Sequence, residues 1–174
     1  MAEDFSGRAG IVTGAASGIG RAAALKFAEG GAKVVVADLD TEGSDNTKAL
    51  IEQRGGEAIC VTTDVSQGGE VEALVKQTVA TYGRLDFAYN NAGIAGDIVP
   101  LVDYSEELWD RVIGINLKGV WLCMKYQIPE MLKQGGGAIV NTASVMGLIS
   151  SASNPIAYTA SKHGVVGLTK SAAL

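Results

Sequence analysis

The sequence predicts a doubly wound α/β fold, in which helices cover both faces of one parallel sheet. Short β-branched runs alternate with helix-length patterns along the whole chain. These runs lack a clean alternation of apolar and polar residues, which is typical of strands that are buried on both faces. With 174 residues, 47% of them hydrophobic, and no repeat or linker, residues 1–174 are predicted to form one domain.

Five strands are predicted, at residues 9–14, 33–38, 57–64, 85–93 and 138–144, and the fourth of these segments is predicted to run into a loop. A helix is predicted after each strand, at residues 18–30, 41–56, 69–83, 105–137 and 154–174. Thr41 and Ser105 are placed to cap the second and fourth helices. The fourth is predicted as one long helix that is interrupted only late, by Pro129. In such a sheet, ligands bind beyond the carboxyl ends of the strands, where the winding direction reverses.

Composition argues against several classes of protein. The chain carries 14 Lys and Arg against 19 Asp and Glu, without a basic run, so nucleic acid is not predicted as a partner. The N-terminus has no leader pattern, and no window approaches 18 apolar residues, so a cytoplasmic protein without a membrane span is predicted. Cys60 and Cys123 have neither disulfide nor zinc spacing, and the single histidine, His163, has no carboxylate cluster beside it. No metal site is predicted.

The segment TGAASGIG, residues 13–20, joins the first strand to the first helix. Glycines let bare backbone approach a pyrophosphate, and the helix N-terminus offers unpaired N–H groups. The spacing GxxxGxG departs from the more common GxGxxG, and taken alone it is equally compatible with a simple turn. The turn residues predicted to bind a cofactor are Gly14, Ser17, Gly18, Ile19 and Gly20.

Asp38 ends the second strand, eighteen residues after Gly20. At this position an acidic side chain can accept both hydroxyls of an adenosine ribose. A carboxylate there would repel a 2′-phosphate, and neither Ser17 nor Leu39 supplies a cation to neutralise one. NAD is therefore predicted as the cofactor in preference to NADP.

Near the end of the chain, the segment YTASK places Tyr158 and Lys162 four residues apart. On a helix these side chains share one face, so the ammonium can lie close to the phenol. A nearby cation favours the phenolate, which would let the phenol exchange a proton near neutral pH. By itself such a pair is more often an ordinary solvated one.

Taken together, the motifs resemble those of the short-chain dehydrogenases/reductases, over the chain from about Arg8 onward. The resemblance is carried by six segments in order: TGAASGIG at 13–20, DV at 64–65, NNAG at 90–93, INLKG at 115–119, NTAS at 141–144 and YTASK at 158–162. Each segment is weak alone, but their joint occurrence is specific. The resemblance implies a Rossmann-like domain.

The resemblance also implies an active site of Asn116, Ser144, Tyr158 and Lys162. Tyr158 would act as general acid and base. Lys162 would favour the phenolate and hold the nicotinamide ribose, and Ser144 would form a hydrogen bond with the substrate oxygen. Asn116 is expected to hold a water that links Lys162 to solvent.

Two further segments are expected to contact the cofactor. By resemblance, Asp64 and Val65 meet the adenine, and Asn91, Ala92 and Gly93, which come after the fourth strand, lie against the cofactor. The glycine in NNAG is also compatible with a simple turn.

The leading hypothesis is an oxidoreductase that transfers a hydride between NAD(H) and a secondary alcohol or ketone. A non-catalytic dinucleotide-binding module, and an epimerase or dehydratase of the same family, are alternatives. The family resemblance implies a homo-oligomer, dimer or tetramer, built through the helices that carry Asn116 and Tyr158. The apolar segments on those helices are equally consistent with covering the sheet.

Two departures from the family pattern bear on the site. Ser144 and Tyr158 are fourteen residues apart, whereas thirteen is more usual in the family, and the small-residue loop between them is expected to absorb the difference. The sequence stops at Leu174 within a helical pattern, whereas the family continues with two more parallel strands. The C-terminal strands are therefore expected to be missing from this chain, which would leave the fifth strand as an apolar edge and most of the substrate pocket undefined.

Overall fold

A computed structural model of the protein describes residues 4–151 and 155–174. It contains one five-stranded parallel sheet in the order β3-β2-β1-β4-β5. The predicted doubly wound, Rossmann-like fold is confirmed. The strands are β1 (Ala9–Thr13), β2 (Lys33–Asp38), β3 (Glu57–Thr62), β4 (Phe87–Asn90) and β5 (Ala138–Asn141).

Six α-helices connect or follow these strands in the described part of the chain. They are α1 (Gly18–Glu29), α2 (Thr41–Gln53), α3 (Gly68–Tyr82), α4 (Glu106–Ile113), α5 (Gly119–Lys133) and α6 (Ile156–Ala172). None of these helices is long and apolar enough to cross a membrane. Residues 4–151 and 155–174 contain no group of three His, Cys, Asp or Glu side chains that could hold a metal ion.

The prediction of one long helix at residues 105–137 is wrong in the middle of that range. A π-helical turn, Gly114–Lys118, separates α4 from α5. Pro129, which was expected to interrupt the helix, lies within α5. A π-helical turn depends on packing by other segments and often marks a functional site, so hydrophobic periodicity gives no sign of it.

Of the two predicted helix caps, Ser105 is confirmed and Thr41 is wrong. The Ser105 hydroxyl accepts a hydrogen bond from the Leu108 N–H at 3.2 Å, as expected for the cap of α4. The cap of α2 is Asp40 and not Thr41, because the Asp40 carboxylate accepts from the Gly43 N–H at 2.9 Å. Both residue types are good caps, and the backbone path decides which one faces the free N–H groups.

Three predicted strands extend too far at their carboxyl ends. The first, third and fifth strands end at Thr13, Thr62 and Asn141, and the fourth, which was predicted to run into a loop, ends at Asn90. The last helix was predicted from residue 154, which lies outside the described residues, and α6 begins at Ile156. The polar residues beyond the strand ends belong to the loops that carry the candidate site.

The core is divided by the sheet into two layers. Adjacent residues of β1 point to opposite faces, so Val12 packs with α1 and α2 while Ile11 packs with α3 and α5. All five residues of β1 are buried, which explains their lack of alternation. Gly10 leaves room for Phe87, whose ring would lie 2.2 Å from a Cβ at position 10.

Winding reverses between β1 and β4, which are neighbours in the sheet but far apart in sequence. The connections leave β1 and β4 in opposite directions, so a crevice opens beyond their carboxyl ends. At the far side, β5 pairs with β4, and no other described strand pairs with β5. Val140 on β5 is 58% exposed, in agreement with the expected apolar edge.

A buried amide pair joins β4 to α5. The Asn90 side chain donates to Gln127 Oε1 at 3.1 Å, and the Gln127 side chain donates to Asn90 Oδ1 at 2.9 Å. Both side chains are fully buried. The Asn90 amide nitrogen also donates to Asn141 Oδ1 at 2.9 Å, whereas Gln127 is the one donor recorded for the buried Asn90 oxygen.

Replacing Gln127 with leucine should therefore destabilise the protein. Gln127→Leu keeps a similar volume but leaves the Asn90 carbonyl oxygen buried without its partner, at a cost of about 1–3 kcal/mol in the free energy of unfolding. Urea denaturation measures this loss. Gln53→Leu, at an exposed position on α2, is the control. Equal stability of the two variants would show that the amide pair contributes nothing.

Candidate active site

A cleft of about 780 Å³ opens at the carboxyl ends of the strands. Segments that follow all five strands contribute to its wall, together with the start of α6. The predicted site residues that line it are Gly14, Ser17, Gly18, Ile19, Asp38, Asp64, Val65, Asn91, Ala92, Gly93, Ser144, Tyr158 and Lys162. Two predicted residues, Gly20 and Asn116, do not line it.

The glycine turn presents bare backbone to the cleft. Gly14 and Gly18 have positive φ angles of 66° and 52°, which glycine adopts without strain. A Cβ at Gly18 would meet nothing within 4 Å, so open space lies above the first residue of α1. Ser17 precedes α1 without giving it a side-chain cap. The free N–H groups of the first turn therefore fit an anionic group such as a pyrophosphate.

Gly20 supports this turn from behind. A Cβ at Gly20 would lie 2.0 Å from the carbonyl oxygen of Gly14. Gly14 itself lies against the loop after β4, because a Cβ there would be 2.9 Å from the Ala92 Cα. Only a residue without a side chain lets α1 start this close to the turn. The cofactor contact of Gly20 stays a prediction.

Arg21 and Thr47 hold the same turn to α2, and sequence reasoning missed both. The Arg21 guanidinium donates to the Ala16 carbonyl and, at 2.9 Å, to the Thr47 hydroxyl. The Thr47 hydroxyl donates to the Ala15 carbonyl at 2.9 Å. Neither residue belongs to a recognisable motif, since their partners are backbone carbonyls that any sequence provides.

The Asp38 carboxylate is held at the end of β2 by two backbone donors. One oxygen accepts from the Ala16 N–H at 2.9 Å, and the other accepts from the Asp40 N–H at 3.1 Å. Each carboxylate oxygen can accept more than one hydrogen bond. Asp38 is therefore oriented and can still accept from hydroxyl groups in the cleft.

Asp64 and Val65 follow β3 and form the adjacent wall. The Asp64 carboxylate accepts from the Ser66 N–H at 2.9 Å, while its own N–H donates to Glu70 at 2.7 Å. Val65 is buried against Gly119, at the start of α5. These contacts explain how a short loop keeps a defined shape beside the cleft.

Asn91, Ala92 and Gly93 are attached to the end of β1 through Thr13. The Thr13 hydroxyl accepts from the N–H groups of Asn91 and Ala92, at 2.9 and 3.1 Å. The Asn91 side chain donates to the Thr13 carbonyl at 3.1 Å and accepts from the Thr142 hydroxyl at 3.3 Å. The threonines were not predicted as site residues, although Thr13 ends β1 and Thr142 directly follows β5.

Tyr158 and Lys162 occupy one face of α6, as predicted from their spacing. The Lys162 ammonium lies 5.5 Å from the centroid of the Tyr158 ring. It donates a hydrogen bond to the Thr142 carbonyl at 2.7 Å, and the residue is only 3% exposed. Burial lowers the pKa of Lys162, because the charged ammonium loses hydration.

Ser144 stands between β5 and the cleft. Its hydroxyl oxygen accepts from the Met146 N–H at 3.2 Å and so caps a short 3₁₀ turn, Val145–Gly147. This bond uses a lone pair of the oxygen and not the hydroxyl hydrogen. The hydrogen can therefore be donated to a group in the cleft, which Ser144 lines together with Tyr158.

Asn116 is fully buried behind the cleft wall, within the π-helical turn. Its side chain accepts from the Ile94 N–H at 2.9 Å and donates to the Ile94 carbonyl at 2.8 Å. The second amide hydrogen goes to the Ser161 hydroxyl at 3.2 Å. The side chain thus binds the loop after β4 and helix α6, and the predicted water between Asn116 and Lys162 stays a prediction.

Fold and cleft together define a dinucleotide-binding α/β protein. Residues 8–174 match the family model described as short chain dehydrogenase, and the chain belongs to this family. It is 43% identical over its full length to a cyclohexanol dehydrogenase of Acinetobacter sp. (strain SE19), covering 69% of that protein. It is 42% identical over 98% of its length to a levodione reductase of Leifsonia aquatica, covering 64% of that protein.

Solved structures agree with this assignment. A crystal structure of levodione reductase is similar over 97% of this chain and 66% of its own, with a TM-score of 0.94 and 40% identity. A family member from Burkholderia phymatum in complex with NAD has a TM-score of 0.92 and 41% identity, over 97% of this chain and 59% of its own. The chain spans about two thirds of the length of these relatives, in line with the expectation of a longer protein.

Burial of Lys162 should make stability depend on pH. The pKa of Lys162 lies below 10.5 in the folded state, so between the lowered value and 10.5 the unfolded chain binds more protons. The free energy of unfolding should therefore rise with pH in this window, and Lys162→Met should lack that rise. Thermal denaturation between pH 7 and pH 10 measures it, with Lys170→Met, exposed on the same helix, as the control. Parallel pH curves for wild type and Lys162→Met would contradict the effect.

Proposed function

We propose that the protein is an NAD-dependent oxidoreductase that interconverts secondary alcohols and ketones. One observation carries the proposal: Ser144, Tyr158 and Lys162 lie along the same cleft as the glycine turn and Asp38. A dinucleotide held by the turn and the carboxylate would lie beside a phenol and a hydroxyl that can act on a substrate oxygen. The names of the relatives, as dehydrogenases and reductases, support the same reaction class.

The cleft fits the parts of NAD in order. The first turn of α1 would hold the pyrophosphate, and Asp38 would accept the hydroxyls of the adenosine ribose. Among the described residues that line the cleft, Lys162 is the single cation, and its ammonium is already bonded to the Thr142 carbonyl. Arg21, which bonds the Ala16 carbonyl, does not line the cleft, so no described lining residue next to Asp38 supplies a cation for a 2′-phosphate. When bound, NAD supplies the acceptor of the hydride in alcohol oxidation, and NADH supplies the donor in ketone reduction.

Tyr158 is proposed to move the proton. In the oxidation its phenolate takes the proton of the alcohol hydroxyl, and in the reduction its phenol returns a proton to the forming alkoxide. Ser144 donates a hydrogen bond to the same oxygen, where negative charge develops. Lys162 has three N–H donors, one of which is used by the Thr142 carbonyl. The other two can serve the phenol oxygen and a ribose hydroxyl.

The lining around Ser144 and Tyr158 supports an uncharged, compact substrate. Its other residues include Ile94, Ala95, Val145, Met146 and Pro155, all of them apolar. An apolar wall favours hydrocarbon surface around the reacting oxygen. A secondary alcohol such as cyclohexanol, the substrate in the name of one relative, is therefore the first to assay.

The alternatives are less well supported. A module that only binds a dinucleotide has no need for a phenol beside a buried ammonium. An epimerase or dehydratase would use the same cofactor cleft, but the named relatives are dehydrogenases and reductases. The homo-oligomer and the cytoplasmic location stay predictions, and light scattering of the purified protein would test the first of them.

Tyr158→Phe tests the reaction and the role of the phenol. Absorbance of NADH, followed with a panel of cyclic and open-chain secondary alcohols and ketones, should change with wild-type protein. The phenylalanine variant should lose about 10²- to 10⁴-fold in kcat, the usual contribution of general acid–base catalysis, and should keep its affinity for NAD. Tyr126→Phe, on α5 and outside the cleft lining, is the control. Retained turnover in Tyr158→Phe would refute the proton-transfer role.

Asp38→Ala tests the choice of cofactor. The ratio of kcat/KM for NAD to that for NADP should favour NAD in the wild type and fall by about 10- to 150-fold in the variant, as expected for a charged hydrogen bond worth about 1.5–3 kcal/mol. Asp45→Ala, at an exposed position on α2, controls for the loss of one negative charge. A wild-type preference for NADP would be incompatible with the proposed cofactor.

A further inference from the structure

Ser161, in the middle of the YTASK segment, makes two hydrogen bonds that point in different directions. Its hydroxyl donates to the Tyr158 carbonyl at 2.7 Å and accepts from the Asn116 side chain at 3.2 Å. The residue is fully buried. Since a hydroxyl has one hydrogen, donation to Tyr158 commits the oxygen to the accepting role toward Asn116.

A serine that bonds only to its own helix would be an ordinary local contact. Ser44 on α2 is such a case, because it is buried and donates to the Asp40 carbonyl at 2.7 Å. Ser161 differs because its second partner lies 45 residues away, in the π-helical turn. That partner holds the loop after β4 by two further hydrogen bonds, to the N–H and the carbonyl of Ile94.

Close packing supports this connection. Gly164, one turn after Ser161 on α6, lies against the π-helical turn, because a Cβ at Gly164 would be 2.7 Å from a methyl carbon of Leu117. Gly93 also faces Asn116, with 3.2 Å between a Cβ at Gly93 and Asn116 Oδ1. Because both positions are glycine, α6 packs closely on the π-helical turn, and the loop after β4 packs closely on the Asn116 side chain. The loop and Tyr158 line the same cleft.

We propose that Ser161 is a positioning residue that sets the place of Tyr158 relative to the cleft wall formed by residues 93–95. It does so by linking the Tyr158 carbonyl to the Asn116 side chain, which holds the wall. The role of Ser161 in turnover rests on the proposed function, whereas the physical link does not. Loss of the hydroxyl should let α6 and the wall move apart while the adenosine end of the cleft is unchanged.

Kinetics of the full-length protein test the effect on turnover. Ser161→Ala should lower kcat by about 10- to 100-fold, the scale expected for a displacement of about 1 Å between reacting groups. The dissociation constant for NAD should change less than kcat, because the glycine turn and Asp38, which would hold the pyrophosphate and the adenosine ribose, belong to other elements. Ser44→Ala removes a buried helical hydroxyl without a distant partner and should keep the wild-type kcat. Equal kcat values for Ser161→Ala and wild type would overturn the proposal.

A double-mutant cycle separates positioning from a general loss of stability. The Asn116→Asp side chain has no N–H group, so it cannot donate to the Ser161 hydroxyl or to the Ile94 carbonyl. This variant therefore tests the same link even if Ser161→Ala does not fold. If both residues act through one link, the double variant should lose no more kcat than Asn116→Asp alone. Fold-losses that multiply would show that the two side chains act independently, against the proposal.

Hydrogen exchange tests the link without any turnover. The Ile94 N–H is donated to Asn116, so peptides that cover residues 93–96 should exchange faster in Ser161→Ala and as in wild type in Ser44→Ala. If wild type shows no turnover with any substrate, the proposed function fails while this measurement still decides the link. Unchanged exchange at residues 93–96 in Ser161→Ala would refute it.

Discussion

The cleft depends on how the carboxyl ends of β1 and β4 are joined where the sheet winding reverses. The Thr13 hydroxyl makes this joint, because it accepts the N–H groups of both Asn91 and Ala92. Thr13 is buried, and its hydroxyl oxygen is the acceptor that satisfies both N–H groups. Gly14 then packs on Ala92, and the two walls of the cleft keep a fixed separation.

Backbone carbonyls at the carboxyl ends of strands become partners for the functional side chains. The Thr13 carbonyl accepts from the Asn91 side chain, and the Thr142 carbonyl accepts from the Lys162 ammonium. Such carbonyls are available only where strands end, which is a physical reason for the site to lie there. The buried ammonium is energetically costly, so the Thr142 carbonyl compensates in part for the hydration it loses.

Local patterns predicted the order of strands and helices because each depends on residues close in sequence. β-Branched runs, helical spacing and glycine turns report the nearby backbone, and the strand-end residues follow directly from them. The errors occurred where two local choices were equivalent. Thr41 and Asp40 are both suitable caps, and nothing in the periodicity of residues 105–137 marks the π-helical turn that holds Asn116.

The sequence by itself determined the fold class, the glycine turn, Asp38 and the shared face of Tyr158 and Lys162, since these depend on spacing within one strand, turn or helix. Only the tertiary structure decided which residues reach across elements. It placed Asn116 behind the cleft wall, gave Gly20 a packing contact, and brought in residues that were not predicted as site residues: Thr13, Arg21, Thr47, Thr142 and Ser161. Their partners lie on segments far away in the chain, so which groups meet depends on how the helices pack against the sheet.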